Sequence, residues 1–338
     1  MEPTEQGDPY EPIRLGILGP GRIVERVMRD YPNMRGVRLS AVASRSRERA
    51  EAAAKRYGAR YAFEGYDALA GCDEVDLAYV ATPHNFHREQ AIALMERGKH
   101  ILCEKPMAVN AGETRDMVRC AKANGVFLME AMWTRFFPAA YRLRELLAEG
   151  AIGAVRHVYA DFAASGPFDP KSRAYDPEVA GGSLLDLGVY PLMATTMALG
   201  WEPERVQGFA RLAPTGVDAR ACAQMLYPSG ATAQWLSAFD ASGESREIVY
   251  GEAGHIVVPD FWRPTSFTVY RDGEDPKPYR FPDEAEGHCH EFTHAAECIR
   301  EGRLESPIVP WAESIAVSGI LDRVRESIGL RYPFEALS

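Results

Sequence analysis

The stretch "IRLGIL" (13–18) runs directly into "GPGRIVERV" (19–27), where two glycines one residue apart open a helical segment. Few folds are open to a strand that turns through G-x-G into a helix. Gly19 and Gly21 permit a tight turn and a close backbone approach, and the amides at the helix start attract a pyrophosphate. The alternation then repeats. "VRLSAVAS" (37–44), "DLAYVAT" (76–82), "KHILCE" (99–104) and "GVFLME" (125–130) read as strands, with helical stretches at "SRERAEAAAKRYG", "FHREQAIALMERG" and "AGETRDMVRCAKANG" between them. Strands alternating with helices predict an α/β Rossmann domain, a doubly wound parallel sheet, over residues 13–132. Such a sheet binds ligands at the carboxyl ends of its strands.

The loop makes Gly19, Pro20, Gly21, Arg22 and Ile23 candidate cofactor contacts. Val24 stands where the fingerprint has a third small residue, which predicts slightly looser helix–strand packing. At the end of the second strand an NAD enzyme usually carries a carboxylate for the ribose hydroxyls. This chain has Ser44, Arg45, Ser46 and Arg47 instead. A carboxylate would repel a 2′-phosphate, whereas serine and guanidinium groups donate to one. NADP is therefore the expected cofactor, with NAD as the alternative. The competing reading of "SRSRER" is a capped, solvated helix start.

From about residue 151 the grammar changes. "VRHVYADFAAS", "ERVQGFARLA", "ACAQMLYPSG", "ATAQWLSAFD", "REIVYGEAGHIVV" and "TSFTVYRDG" read as strands, many joined by Gly, Pro or Asp turns. A helix at about 181–198 interrupts them, and helices at about 286–301 and 311–328 close the chain. The expectation is an α+β C-terminal domain over 133–338 with a large, mostly antiparallel open sheet, serving substrate binding and oligomerisation. A sheet of that size would leave an apolar face exposed, which predicts a homodimer or homotetramer through it. The acidic, Pro-rich residues 1–12 read as a disordered leader.

With 338 residues the chain exceeds one typical core, in keeping with two domains. A formal net charge of -10 argues against nucleic-acid or anionic-membrane partners, which need a basic surface. No apolar run is long enough for a membrane span and no signal peptide is evident, so a cytoplasmic location is expected. None of the six cysteines falls in a C-x-x-C pair, and they read as reduced thiols, mostly core hydrophobes.

Only six lysines occur, so each is informative. Lys105, in "ILCEKPMAV" (101–109), follows an apolar strand at the ligand edge of the sheet. It either snorkels to solvent or serves a site. In "GGSLLDLGVYP" (181–191), Asp186 and Tyr190 stand at i and i+4, on one face of a regular helix. A phenol beside a lysine can be pushed below its ordinary pKa, as a proton donor to a carbonyl requires.

These motifs resemble the glucose–fructose oxidoreductase/inositol dehydrogenase/rhizopine-catabolism family of NAD(P)-dependent oxidoreductases. The resemblance covers nearly the whole chain and rests most specifically on Glu104-Lys105-Pro106. "VATPHNFHREQA", "LMEAMWTRFFP", "GGSLLDLGVYP" and "DFWRPTSFTV" point to the subgroup of dihydrodiol and D-xylose dehydrogenases. The resemblance implies that Tyr190 is the general acid/base and that Lys105 contacts the nicotinamide ribose and the substrate hydroxyl. It implies that Asp186 orients the substrate or Lys105. Thr82, Pro83, Asn85, His87 and Glu104 would lie near the cofactor, with Trp133 and Arg135 at its nicotinamide end. Trp133, Phe162 and Trp262 would line the pocket of a sugar or small diol. In relatives the Lys105–Pro106 peptide is typically cis.

Two other readings compete. "HEFTH" (290–294) matches H-E-x-x-H, which sets two zinc ligands and a general base on one helix face, with Glu313 downstream as a candidate third ligand. Against it, Phe292, Ala295, Ala296 and Ile299 form an apolar stripe that leaves His290 and His294 on an opposite, solvated face. The family resemblance extends to this helix, so no metal site is expected, although His288, His290 and His294 could bind a metal adventitiously. The remaining alternative is a catalytically silent NAD(P)-binding regulator of the same fold.

Overall fold

The structure is a computed structural model describing residues 10–281 and 286–337. Along the chain it forms β1 (Ile13–Leu18), α1 (Arg22–Val27), β2 (Val37–Ser44), α2 (Arg47–Tyr57), β3 (Tyr61–Glu64), α3 (Asp67–Ala70), β4 (Leu77–Val80), α4 (His87–Met95), β5 (His100–Glu104), α5 (Ala111–Asn124) and β6 (Leu128–Ala131). Next come α6 (Pro138–Ala148), β7 (Val155–Ala163), α7 (Val189–Leu199), β8 (Arg205–Leu212), β9 (Asp218–Leu226), β10 (Thr232–Ala238), β11 (Glu247–Gly251), β12 (Gly254–Val258), β13 (Ser266–Arg271) and β14 (Lys277–Arg280). Helices α8 (Cys289–Arg300) and α9 (Trp311–Ile328) close it. The chain divides into two compact units, one of residues 1–108, 112–133 and 283–314, the other of 109–111, 134–282 and 315–338. The expected uninterrupted run 133–338 is therefore broken, because α8 packs on β2 and β5 of the first unit.

In the first unit the parallel strands run in the order β3-β2-β1-β4-β5-β6, a doubly wound sheet. Strands β4 and β6 are buried at every position and β5 at all but its first, as expected of a sheet covered on both faces. Helix α2 packs on β2 and β3, and α4 on β4 and β5. Short β3 has half-buried apolar residues without a clean alternation, which hides it in the sequence. Val24, at the fingerprint's third position, is wholly buried. Residues 1–9 of the expected leader lie outside the described residues, while the ring of Tyr10 stands 5.5 Å from the Arg300 guanidinium.

The second unit carries eight strands in the order β14-β13-β12-β11-β7-β10-β9-β8. All pairings are antiparallel except β7 with β10. "REIVYGEAGHIVV" is a hairpin, β11 and β12, rather than one strand. Helix α7 covers one face through β7, β10 and β11. The sheet also presents exposed apolar side chains, Phe209 at 60% and Tyr250 at 40% of full exposure. Cys103, Cys289 and Cys298 are buried, Cys72 and Cys120 half-buried, and Cys222 exposed, so the core holds three of the six free thiols rather than most of them.

Candidate active site

Gly19 has a φ of 80°, and a Cβ there would stand 2.8 Å from Thr82 Cγ2 and 3.1 Å from the Ala81 carbonyl oxygen. Only glycine fits that turn. Gly21 is different: its backbone is extended, and a Cβ would meet nothing nearer than the Gly19 carbonyl at 3.8 Å. A glycine with ordinary dihedrals and open space beside it suits close approach by a ligand, so the loop fits a dinucleotide phosphate. Pro20, Arg22 and Ile23 complete it, Arg22 and Ile23 as the first turn of α1.

Beyond β2, Ser44 is buried, and its hydroxyl accepts from Ser46 N–H at 3.4 Å. Ser46 caps α2 by accepting from Arg49 N–H. The capped-helix reading thus holds at Ser46. Both arginines are exposed, but Arg47 is paired with Glu51 at 2.6 Å, while the charge of Arg45 opposes the rise that burial imposes on the Tyr66 phenol. The two arginines, equal in the sequence, are unequal in the fold.

After β4, the Thr82 hydroxyl donates to Gln90 Oε1 at 2.7 Å, and Pro83 precedes a short 3₁₀ turn holding Asn85. His87 is fully buried, Nδ1 3.0 Å from the Pro106 carbonyl and Nε2 2.9 Å from the Thr82 carbonyl. It ties the loops after β4 and β5 together and does not project toward solvent. The Lys105–Pro106 peptide is cis, and Lys105 is half-buried. Glu104 accepts from the Tyr79 hydroxyl through Oε1 and from Lys105 N–H through Oε2 at 3.1 Å. Beneath this segment Glu130 accepts from Met107 N–H at 2.9 Å and from the Ser314 hydroxyl at 2.7 Å. Burial pushes the Glu130 carboxyl up to about 7 against those bonds, and the charges of Glu313 and Glu104 add to the rise. Trp133 is buried, its indole stacked 4.1 Å from the His288 ring with the Arg26 guanidinium 5.8 Å from its centroid.

Within the second unit, Phe162, Tyr190 and Trp262 come together. Phe162 stacks on Trp262 at 5.5 Å and meets Tyr190 edge-on at 5.3 Å. Five residues before Tyr190 wind as a π turn, Leu184–Gly188, which runs on into α7. Hydrogen bonds there skip to i+5, one residue further than in an α-helix. Asp186 pairs with Arg173 at 3.3 Å, while Tyr190 lies against Phe162. Arg135 is buried in the second unit and donates to the Met193 carbonyl at 3.2 Å. Burial pushes the Glu247 carboxyl up to about 7 against the pull of the Arg135 charge. Lys105 and Trp133 belong to the first unit and Phe162, Asp186, Tyr190 and Trp262 to the second.

The "HEFTH" helix is not the solvated face expected. Glu291 is wholly buried, its Oε1 3.7 Å from His288 Nδ1, and burial with the charge of Glu104 raises its pKa well above the usual carboxylate range. His294 Nε2 lies 2.8 Å from Ser306 Oγ and 3.3 Å from Cys298 Sγ. Among the described residues, no group of three or more His, Cys, Asp or Glu side chains is placed to hold a metal.

Residues 13–132 match the model of the GFO/IDH/MocA oxidoreductase family's NAD-binding Rossmann fold, and residues 141–257 match the family's C-terminal domain. The chain belongs to this family. Among curated relatives, the mouse trans-1,2-dihydrobenzene-1,2-diol dehydrogenase is 37% identical over 95% of this chain and 98% of its own. The human protein of the same name is 35% identical over the same shares. A 3-ketoreductase from Actinomadura kijaniata, solved with NADP and TDP-benzene, superposes with a TM-score of 0.85 at 26% identity over 94% of this chain and 98% of its own. An aldose–aldose oxidoreductase from Caulobacter crescentus superposes with a TM-score of 0.83 at 29% identity over 93% and 98%. The chain is thus an NAD(P)-dependent oxidoreductase of the family that acts on alcohols and carbonyls, which sets aside the peptidase and the silent regulator. No helix among the described residues is long and apolar enough to cross a membrane.

Sequence reading passed over Arg173, Asp218 and Glu130. Arg173 sits in an irregular loop with no periodicity, and the two carboxylates lie on strands whose sequences carry no sign of their burial.

Proposed function

We propose that the protein is an NADP-preferring dehydrogenase or reductase of a cyclic diol or sugar, and that the Phe162–Trp262 stack beside Tyr190 carries this reading. Two parallel aromatic faces with a phenol at their edge suit a flat or cyclic substrate whose reacting carbon bears oxygen. The bound nicotinamide would donate or accept the hydride at C4. Tyr190 takes the proton from the substrate hydroxyl in oxidation and returns it to the carbonyl oxygen in reduction. The Lys105 ammonium stabilises the negative charge on that oxygen, and Asp186 orients the substrate. Gly19 through Ile23 would hold the pyrophosphate, and Thr82, Pro83 and Asn85 would border the nicotinamide half, with Trp133 at its end. His87 and Glu104 hold the backbone of that region, and Arg135 supports α7 from behind.

NADP preference rests on Ser44 and on Arg45, since the Arg47 guanidinium is already paired with Glu51. The assembly we propose is a homodimer or homotetramer through the open face of the eight-stranded sheet, where Phe209 and Tyr250 stand exposed, in a cytoplasmic protein. Fluorescence titration with NADPH and with NADH, in wild type and Arg45→Ala, tests the cofactor. Turnover across a panel of cyclic diols and aldoses tests the substrate. Tighter NADH binding in wild type overturns the reading of Arg45, and turnover of acyclic alcohols alone overturns that of the aromatic stack.

A further inference from the structure

The π turn that carries Asp186 toward Tyr190 is held from outside its own helix. Asp218, the first residue of β9, is wholly buried, and its Oδ2 accepts from the Ser183 hydroxyl at 2.7 Å and from Leu184 N–H at 2.7 Å. The same Ser183 hydroxyl lies 3.2 Å from the Ser237 carbonyl and 3.1 Å from its hydroxyl, on β10. Before the turn, the Gly181 carbonyl accepts from the buried Tyr332 hydroxyl at 2.8 Å. A Cβ on Gly181 would stand 2.8 Å from the carbonyl oxygens of Arg173 and Asp176. Gly182, with φ 119°, would place one 2.2 Å from Asp218 Oδ1. Further along, a Cβ on Gly188 would come within 3.2 Å of Ser237 Oγ. Both ends of the π turn are thus seated against the residues that hold Ser183.

A buried carboxylate is expensive to keep. Burial pushes the Asp218 carboxyl up to about 7 against the pull of its hydrogen bonds, and its Oδ1 accepts none in this structure. A helix start can be capped by any short polar residue at its own N-cap, and a core site is filled more favourably by an apolar side chain. What an aspartate adds is direction: a fixed acceptor that sets where Leu184 N–H, and so the winding after it, begins.

We propose that Asp218 is a positioning residue for the reaction, fixing the Gly181–Ser183 turn and through it the π winding that sets Tyr190 beside Phe162. This rests on the reading of Tyr190 as the proton carrier and deepens it. Displacing an acid/base group by an ångström costs on the order of a hundredfold in rate, so a device of this kind repays its desolvation.

The test uses the full chain with 3-fluorotyrosine incorporated, the Tyr190 ¹⁹F signal being assigned through Tyr190→Phe. Asp218→Asn and Ser183→Ala are compared with wild type, and Ile256→Val, a wholly buried site on β12, controls for general destabilisation. Expected in both turn variants are a shifted or split Tyr190 signal and a kcat lowered by about tenfold or more. NADPH affinity should stay within about twofold and Ile256→Val should leave the signal in place. A Tyr190 signal unmoved in the folded turn variants, or moved equally by Ile256→Val, overturns the proposal. Should Asp218→Asn not fold, Ser183→Ala carries the comparison, since it removes one hydroxyl and leaves the carboxylate to Leu184. If wild type turns over no diol or sugar, the reading of Tyr190 fails on its own while the ¹⁹F signals still decide whether Asp218 places that side chain.

Discussion

The glycine loop of the first unit and the tyrosine turn of the second are built by opposite means. The loop is local: three residues fix it, its demands are steric, and the partner that forces Gly19 is the next loop, at Ala81 and Thr82. The tyrosine turn is assembled from a distance, through Asp218, Ser237 and Tyr332. A backbone-built site tolerates change everywhere except at its glycines. A side-chain-built site spreads its weakness over the sheet that supports it.

The difference shows most strongly at Tyr190. Tyr190→Phe keeps the ring against Phe162 and removes only the hydroxyl, so kcat should fall by about 10²–10⁴ with NADPH affinity unchanged. A loss confined to KM would mean that the hydroxyl binds substrate rather than moving a proton.

On the loop, Gly19→Ala should cost about 1–3 kcal/mol in stability as well as cofactor affinity, because it strains φ and collides with Thr82. Gly21→Ala, with open space around it, should weaken NADPH binding while leaving the melting temperature within about 2 °C. Unaltered NADPH binding by Gly21→Ala would mean that no phosphate approaches there.

Both units also bury carboxylates, and the sign of their linkage is shared. Burial raises Glu130, Asp218 and Glu247 to about 7, above the ordinary values of 4.5, 3.8 and 4.5. The fold favours their neutral forms, so unfolding free energy should fall as pH rises from about 4.5 to 7. The native state binds the extra proton in that window, so the total fall is on the order of 3 kcal/mol per group. Glu130→Gln should flatten its share in the first unit, as Asp218→Asn should in the second. Urea melts across this window in which Glu130→Gln parallels wild type would show that Glu130 stays ionised.

How much of this was legible follows the same division. β1, the loop and α1 stand adjacent in the chain, and the Gly-x-Gly spacing with an apolar strand before it was enough to place them. Phe162 and Trp262 were named through family resemblance, and the fold stacks them. The π winding was invisible, since "LLDLG" has ordinary helical spacing and the cause lies at Asp218, on another strand. The contacts of Arg135 and His87 were hidden for the same reason: a motif says which residue types recur, and burial against Met193, Pro106 and Thr82 decides which way they face.

Arg45 and Arg47 sharpen the comparison at smaller energies. Arg47 already pairs with Glu51, an exposed i, i+4 pair that contributes about 0.3–0.5 kcal/mol. Arg45→Ala should therefore reduce NADPH-over-NADH discrimination by about 1.5–3 kcal/mol, a charge-assisted hydrogen bond, and Arg47→Ala by less than half of that. Equal losses would place the 2′-phosphate between the two and give the whole segment one role.

The smallest effects are expected in the helix whose sequence promised the most chemistry. His294 bonds Ser306, so His294→Ala should lower stability by about 1 kcal/mol, and His290→Ala, at a half-buried site, by a similar amount. Neither should alter turnover, and chelator should leave both stability and activity as they are. The reasoning is geometric: a zinc-bearing H-E-x-x-H helix needs its glutamate beside the metal-bound water, and Glu291 is instead sealed in the core against His288. Stoichiometric zinc in purified protein, lost together in His290→Ala and His294→Ala, would reverse that conclusion and make Glu291 a base rather than a core carboxylate.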